Sequence, residues 1–583
     1  MDQLDKLFLI VIQEALGHAV YGVKSIGELR LVYAQCDGRK LLHLAHFAQF
    51  VGILGLGGGC HENDMGVFEL VIVAAEFVEL VYAMIAQRVK NGDDYFIFFV
   101  QVGVGKSAAI GQFELQVGQL LVFIEGEHVL RICHYSHRGG CSQAQKKSFQ
   151  LHYQELSVQG SYFAANTNES MTTLITHIQT LLQTGYEAGV RQTVKGGDMK
   201  NVPQLENAWL LIEGEEIRDF GTMDQLPELR ADETIDASGR LVLPAWCDSH
   251  THLVYAGSRE LEFVDRINGL GYEEIARRGG GILNSAKKVN AASEEQLFDE
   301  TMQRLHEITA LGTGAVEIKS GYALSTEGEL KMLRVVRKIK EHTRMDIKAT
   351  FLGAHAYPLE YKQNHQGYID LLVNEMIPRV AGEGLADYVD AFCEEGFFNV
   401  DETAQVMEAG LKHGLKPKIH ANQLHRSGGI QVGVKYGALS VDHLEFVEEE
   451  ELACLLGSET MPTLLPSAAF FIRLPYQPAR KMIDAGLPIA LASDYNPGTS
   501  PSGNMPLLMS LGCTQLRMTP EECLHAVTMN GAYAMDLSES LGSIAKGKKA
   551  NLIITDKIPS LAFIPYSFGS NLIHKVMIKG QWV

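Results

Sequence analysis

The sequence predicts an α/β fold: a TIM-like (β/α)8 barrel carrying a small β-sandwich domain built from the segments before and after it. Three observations predict it. From Val242 to about Ser540, apolar strand-like runs alternate with helical stretches about eight times, the pattern of parallel β/α units closing into a barrel. β-rich runs flank that region on both sides, so they can pair into one domain. Histidine and aspartate recur at the ends of the strand-like runs, where a barrel places its chemistry.

Ahead of the barrel, Ala208 to Glu213, Glu216 to Phe220 and Arg240 to Leu243 read as short strands separated by polar turns. The apolar segment Leu241 to Cys247 leads into the barrel. Further strands are expected at Ala315 to Lys319, Ile347 to Leu352, Tyr388 to Phe392, Lys416 to His420, Ala438 to Asp442, Thr460 to Leu464 and Ile489 to Ser493. Helical stretches separate them, at about Glu327 to Glu341, Tyr368 to Ile377 and Val400 to His413, with a last one from Pro520 to Met535. Asn551 to Thr555 and Lys575 to Ile578 return to strand. Residues 171–242 and 541–583 are therefore assigned to the small β domain and 243–540 to the barrel.

Residues 1–170 differ in composition. All 17 prolines lie between Pro203 and Pro565, where average usage predicts roughly ten in the first 202 residues. The first 170 residues also lack Trp, contain a single Thr (Thr167) and carry eight of the 21 histidines. Strand-like runs occur at Val71 to Ala75, Tyr95 to Val100 and Leu120 to Ile124. Three readings compete: an accessory domain, a poorly ordered extension, or upstream sequence joined through a misassigned start. The third is preferred, because from Met171 onward the chain reads as one complete enzyme of 413 residues. Motif-like stretches in this segment are weak. Gly103 to Ser107 has Val100 where a phosphate loop needs glycine, and Gly55 to Gly59 is followed by Cys60 where a dinucleotide loop needs its third glycine. Cys133, His134, His137 and Cys141 fit no standard structural-zinc spacing.

Composition narrows the function class. With 46% hydrophobic and 21% charged residues over 583 positions, the chain is neither disordered nor fibrous. A formal net charge of −20 argues against nucleic-acid and anionic-membrane partners, leaving a small molecule as the expected one. Nine scattered cysteines are no disulfide framework, which points to a cytoplasmic setting. The apolar stretch Phe68 to Ile85 carries Glu69, Glu76 and Glu79, so no membrane span is expected.

His250-Thr251-His252 is the first chemical signal: two residues apart in an extended strand, both imidazoles can face one ion. His420, His443 and Asp494 each end a later strand-like run. Imidazoles and a carboxylate are an N/O donor set suited to zinc or iron. A hydrogen-bonded core histidine explains any one of these positions but not the repetition at separate strand ends.

With these residues placed, the sequence resembles the imidazolonepropionase family of metal-dependent hydrolases, in the amidohydrolase superfamily, over about residues 171–583. The resemblance is carried by Asp248 to Val254, Gly257-Ser258-Arg259-Glu260, Glu317 to Tyr322, Leu352 to His355, Ile419 to Gln423, Val441 to Glu445 and Ser493 to Gly498. It implies hydrolysis of the ring amide of 4-imidazolone-5-propanoate to N-formimidoyl-L-glutamate in histidine degradation. It implies one ion per subunit, Zn2+ or Fe2+/Fe3+, held by His250, His252, His420 and Asp494, with His443 and Asp494 as catalytic groups. Arg259 and Tyr322 would hold the propionate, and His355, Gln423, Asn496, Gly498 and Thr499 would also meet the substrate. A homodimer is implied as well. One position departs from the family pattern: Gln423 stands where many members have a glutamate that can carry a proton. Two rivals remain at this point. A purine or pyrimidine deaminase would have no obvious use for the Arg259 and Tyr322 clamp, and a non-catalytic scaffold would be expected to lose metal ligands.

Overall fold

The computed structural model describes residues 171–269 and 280–583, together with five short strands upstream. Of those five, Val32–Gln35 pairs antiparallel with Tyr95–Phe98, and Glu114–Val117, Leu120–Ile124 and Leu130–His134 form an antiparallel three-stranded sheet. The expected strand at Val71 to Ala75, both glycine-rich stretches, and His137 and Cys141 lie outside the described residues. Among the described residues no helix is long and apolar enough to cross a membrane.

The small domain opens with β1 (Thr172–Leu182), β2 (Gln204–Glu213), β3 (Glu216–Thr222), β4 (Glu233–Asp236) and β5 (Arg240–Pro244). The barrel follows in chain order: β6 (Trp246–Thr251), β7 (Thr313–Lys319), β8 (Asp346–Ala354), β9 (Tyr388–Cys393), β10 (Lys416–Ala421), β11 (Ser440–His443), β12 (Met461–Leu464) and β13 (Ala490–Leu491). The chain then returns to the small domain through β14 (Leu552–Lys557), β15 (Ile573–Ile578) and β16 (Gln581–Trp582). That sheet runs β16-β15-β14-β5-β1-β2-β3, with β4 beside β1. Ile175, Leu210 and Ile217 from one half of the path share an apolar core with Leu552, Ile554 and Met577 from the other. The sheet therefore wraps on itself as a sandwich does.

Every barrel strand pairs parallel with its neighbour in sequence. The ring closes through a parallel bridge between Thr251 and Tyr495. There the Asp494 N–H donates to the His250 carbonyl and the His252 N–H to the Tyr495 carbonyl, both at 2.9 Å. All seven residues of β7 and all six of β9 are buried, as expected for strands covered by helices on the outside and packed side chains within. Helices Thr326–His342 and Val400–Lys412 match their expected spans, and the second starts at a capping box in which Asn399 and Glu402 satisfy each other's backbone N–H.

Three local departures have physical causes. The apolar run Leu241 to Cys247 is divided at Ala245 between β5 and β6, because apolar residues serve both sheets equally well. The expected strand Ile489 to Ser493 shortens to Ala490–Leu491, since the Ser493 N–H donates to Asp248 Oδ1 (2.9 Å) instead of joining the ladder. The helix expected over Pro520 to Met535 becomes Pro520–Val527 and Met529–Ala534, broken at Thr528, whose hydroxyl donates to Gln183 Oε1 at 2.9 Å.

Candidate active site

The C-terminal ends of the barrel strands bring together most of the residues singled out from the sequence. His250 on β6, His252 just beyond it and His420 on β10 are buried, and one nitrogen of each lies within 4.8 Å of the others. Asp494, just past β13, places Oδ1 3.5 Å from Nε2 of both His250 and His252. His443 ends β11 with its ring centroid 5.6 Å from that of His250 and 5.2 Å from that of His420. Asn422, His443 and Asp494 all adopt left-handed backbone conformations, with φ of 53°, 84° and 54°. Non-glycine residues rarely hold that conformation unless their surroundings impose it, and here three do so at strand ends around one site.

The donor set fits a metal ion. His250 Nδ1 is 2.6 Å from Asp442 Oδ2, which leaves Nε2 buried with no hydrogen-bond partner. His420 Nδ1 faces Asp390 Oδ2 at 3.0 Å, out of line for a hydrogen bond, and its Nε2 is likewise buried and unpartnered. Buried polar nitrogens are normally paired, and a carboxylate behind a histidine whose other nitrogen points into a shared cavity is the arrangement that orients metal ligands. Burial holds His250 well below its usual pKa, reinforced by the Lys319 charge, and burial also lowers His420. Both are therefore neutral, as ligands must be.

Two groups beside the cluster carry protons differently. Burial alone would raise the Asp494 carboxyl, but its contact with His252 and the charge of nearby His443 hold it below the usual range. His443 behaves oppositely: burial would lower it, yet Glu445, 3.7 Å from Nδ1, and Asp494 raise it. Glu445 is itself buried and accepts a hydrogen bond from Gln477 at 3.0 Å.

The expected substrate residues line the same end. His355 stacks on His252 with ring centroids 5.4 Å apart, and Tyr322 stands edge-on to both rings at 5.5 and 5.3 Å. His355 Nδ1 is held by the Gly321 carbonyl at 3.0 Å, and burial keeps the ring well below its usual pKa, hence neutral. Gly321 (φ 101°) allows this turn, since a Cβ there would stand 2.7 Å from the Leu352 carbonyl. Arg259 is paired with Glu262 through Nε and Nη2 at 2.8 and 2.6 Å, and its Nη1 lies against Gly498. Asn496 ties its own loop: Oδ1 accepts from the Gly498 and Thr499 N–H groups, both at 2.8 Å, and Nδ2 donates to the Asp494 carbonyl at 2.6 Å. Thr499 Oγ1 in turn contacts Asp494 Oδ2 at 3.2 Å. Gln423 is buried in the loop after β10.

Glu317, Lys319, Asp390, Lys418 and Glu445 are buried charged residues of the barrel to which no local pattern in the sequence gives a role. The signal that could have found them is a charged residue inside a run that burial otherwise keeps apolar.

Comparisons with known proteins agree with this geometry. The model of the amidohydrolase family matches residues 374–583. The chain is 60% identical over 415 residues to the imidazolonepropionase of Flavobacterium johnsoniae, covering 100% of that protein and 70% of this chain. It is 56% identical over 413 residues to that of Christiangramia forsetii (100% and 71%), and 42% identical over 382 residues to that of Thermoanaerobacter pseudethanolicus (91% and 66%). Among solved structures, the fold is similar to a zinc-bound adenosine deaminase from Xanthomonas campestris (TM-score 0.52, 14% identity, 71% of this chain and 93% of that one). It is also similar to the guanine deaminase of E. coli (TM-score 0.53, 13% identity, 71% and 99%).

Proposed function

This chain belongs to the imidazolonepropionase family of amidohydrolases, and on that premise we propose how its own residues carry out the family's reaction. The reaction is hydrolysis of the ring amide of 4-imidazolone-5-propanoate to N-formimidoyl-L-glutamate, a step of histidine degradation. The observation that carries the reading is the convergence of His250, His252 and His420, with unpartnered buried nitrogens, beside Asp494.

His250, His252, His420 and Asp494 would hold one ion, zinc or iron, which when bound would supply the Lewis acidity that lowers the pKa of water toward neutrality. Asp494, an acceptor held low by its histidine neighbours, takes a proton from the attacking water. His443, raised by Glu445, keeps a proton to donate to the carbonyl oxygen as charge develops there. Water oxygen thus adds to the ring carbonyl carbon; as the tetrahedral carbon collapses, its hydroxyl returns a proton to His443, the C–N bond breaks, and the departing nitrogen takes the proton held by Asp494. Arg259 Nη1 and the Tyr322 hydroxyl receive the propionate, since a planar guanidinium suits a carboxylate. Asn496 fixes the Gly498 and Thr499 backbone beside it, while His355 and Gln423 meet the ring. The family resemblance supports a cytoplasmic homodimer as the working form.

The deaminase rival is tested by comparing turnover of 4-imidazolone-5-propanoate with that of an analogue lacking the carboxylate and of a neutral purine. The propionate is expected to be preferred by at least about a hundredfold in kcat/KM, in keeping with a site built around a half-buried charged partner. Arg259→Ala should remove most of that preference. Faster turnover of the neutral heterocycles would overturn the reading.

A further inference from the structure

Behind the histidines lies a fully buried charged cluster. Lys319 ends β7, and its Nζ meets Glu317 Oε1 at 2.6 Å, Asp390 Oδ2 at 2.9 Å and Asp442 Oδ2 at 3.5 Å, every partner with no solvent exposure. The particular oxygens matter. Asp442 Oδ2 is the atom that holds His250 Nδ1, and Asp390 Oδ2 is the atom that faces His420 Nδ1. One ammonium therefore spans the two carboxylate oxygens that stand behind two of the three converging imidazoles. The remaining oxygens are also occupied: Asp442 Oδ1 accepts from the Ser440 hydroxyl (2.5 Å) and Asp390 Oδ1 from the His420 N–H (3.2 Å).

We propose that Lys319 is the positioning residue of the metal site, holding Asp390 and Asp442 so that Nε2 of His250 and His420 point to a common centre. β7 supplies no ligand itself, so its lysine acts on β6 and β10 only through aspartates of β9 and β11. A lysine placed only to neutralise buried carboxylates would have no need to reach across three strands. Lys418 provides the contrast within the same cluster. It is equally buried, yet its contacts are Glu317 and the carbonyls of Ser249 and Ala534, with neither aspartate among them.

The proposal rests on the reading that the three histidines hold a metal, and the experiment separates the two. Metal-depleted wild type, Lys319→Met, Lys319→Gln and Lys418→Met are titrated with Zn2+ against a chelator and with Co2+ while the visible spectrum is recorded. Outer partners of metal-binding histidines are typically worth about 10–100-fold in affinity. Both Lys319 variants are expected to lose affinity in that range and to show an altered Co2+ spectrum, while Lys418→Met stays within about threefold of wild type. Wild type that binds neither ion would overturn the metal site itself. Wild type that binds, with Lys319 variants that bind equally well or lose no more than Lys418→Met, would overturn only the role of the lysine. So would failure of both Lys319 variants to fold, which would assign the lysine to the fold instead.

Discussion

Glutamine at position 423 can hydrogen-bond a substrate but cannot exchange a proton at neutral pH, so the proposal assigns proton transfer to Asp494 and His443. Gln423→Ala should raise KM by about tenfold, the equivalent of one good hydrogen bond, and leave kcat nearly unchanged. His443→Ala should instead lower kcat by about a hundredfold or more, the scale of a lost general acid. Steady-state kinetics on both variants checks this, and a collapse of kcat with unchanged KM in Gln423→Ala would contradict it. The depressed histidines make a second prediction. In the unfolded chain His250 and His420 take up protons near their ordinary pKa of 6.5, while in the folded chain burial keeps them neutral to lower pH. Below about pH 6.5 the unfolded state therefore binds more protons, and stability of the metal-free protein falls as pH falls through that window. Melting temperatures of the metal-free chain at pH 7.5 and 5.5 measure it; bound metal, which keeps protons off the same nitrogens in the folded state, should raise stability at both pH values without reducing the drop.

At the scale of elements, the loop after β13 is where small changes should reach the substrate. A Cβ on Gly498 would stand 2.4 Å from Arg259 Nη1, so Gly498→Ala must displace the guanidinium. KM for the propionate should rise by about tenfold or more while metal content stays at the wild-type level; unchanged KM would remove Arg259 from the substrate site. The same loop marks what the sequence could and could not disclose. Ile489 to Ser493 reads as a strand because apolar periodicity reports burial, whereas the ladder ends early because Asp248 takes the Ser493 N–H, a contact between residues far apart in the chain. The His-Thr-His spacing on β6 and the strand-end positions of His420, His443 and Asp494 were legible because each is local. Lys319 was not, because its meaning depends on β9 and β11 bringing Asp390 and Asp442 to either side of it. The pairing of Arg259 with Glu262 is also invisible in the motif, although the two are only three residues apart.

For the whole molecule, the small β domain is built from segments on both sides of the barrel, and the barrel carries the residues proposed for the reaction. Alignments of 415 and 413 residues cover the relatives from Flavobacterium johnsoniae and Christiangramia forsetii in full, and 70% and 71% of this chain. A protein of residues 171–583 alone is therefore expected to bind metal and to turn over substrate at the rate of the full chain, and a large loss would give residues 1–170 a part in the reaction. Hydrolysis is proposed to depend on an ion held by the strand-end histidines. The most direct test of that dependence is one preparation followed through three states, as purified, chelator-stripped and reloaded with zinc or iron, with bound metal and hydrolysis of 4-imidazolone-5-propanoate measured in each. About one ion per chain, activity lost in proportion to metal removed, recovery on reloading, and failure of His420→Ala to recover are the predicted results. Undiminished turnover by a chain free of metal would rule that dependence out.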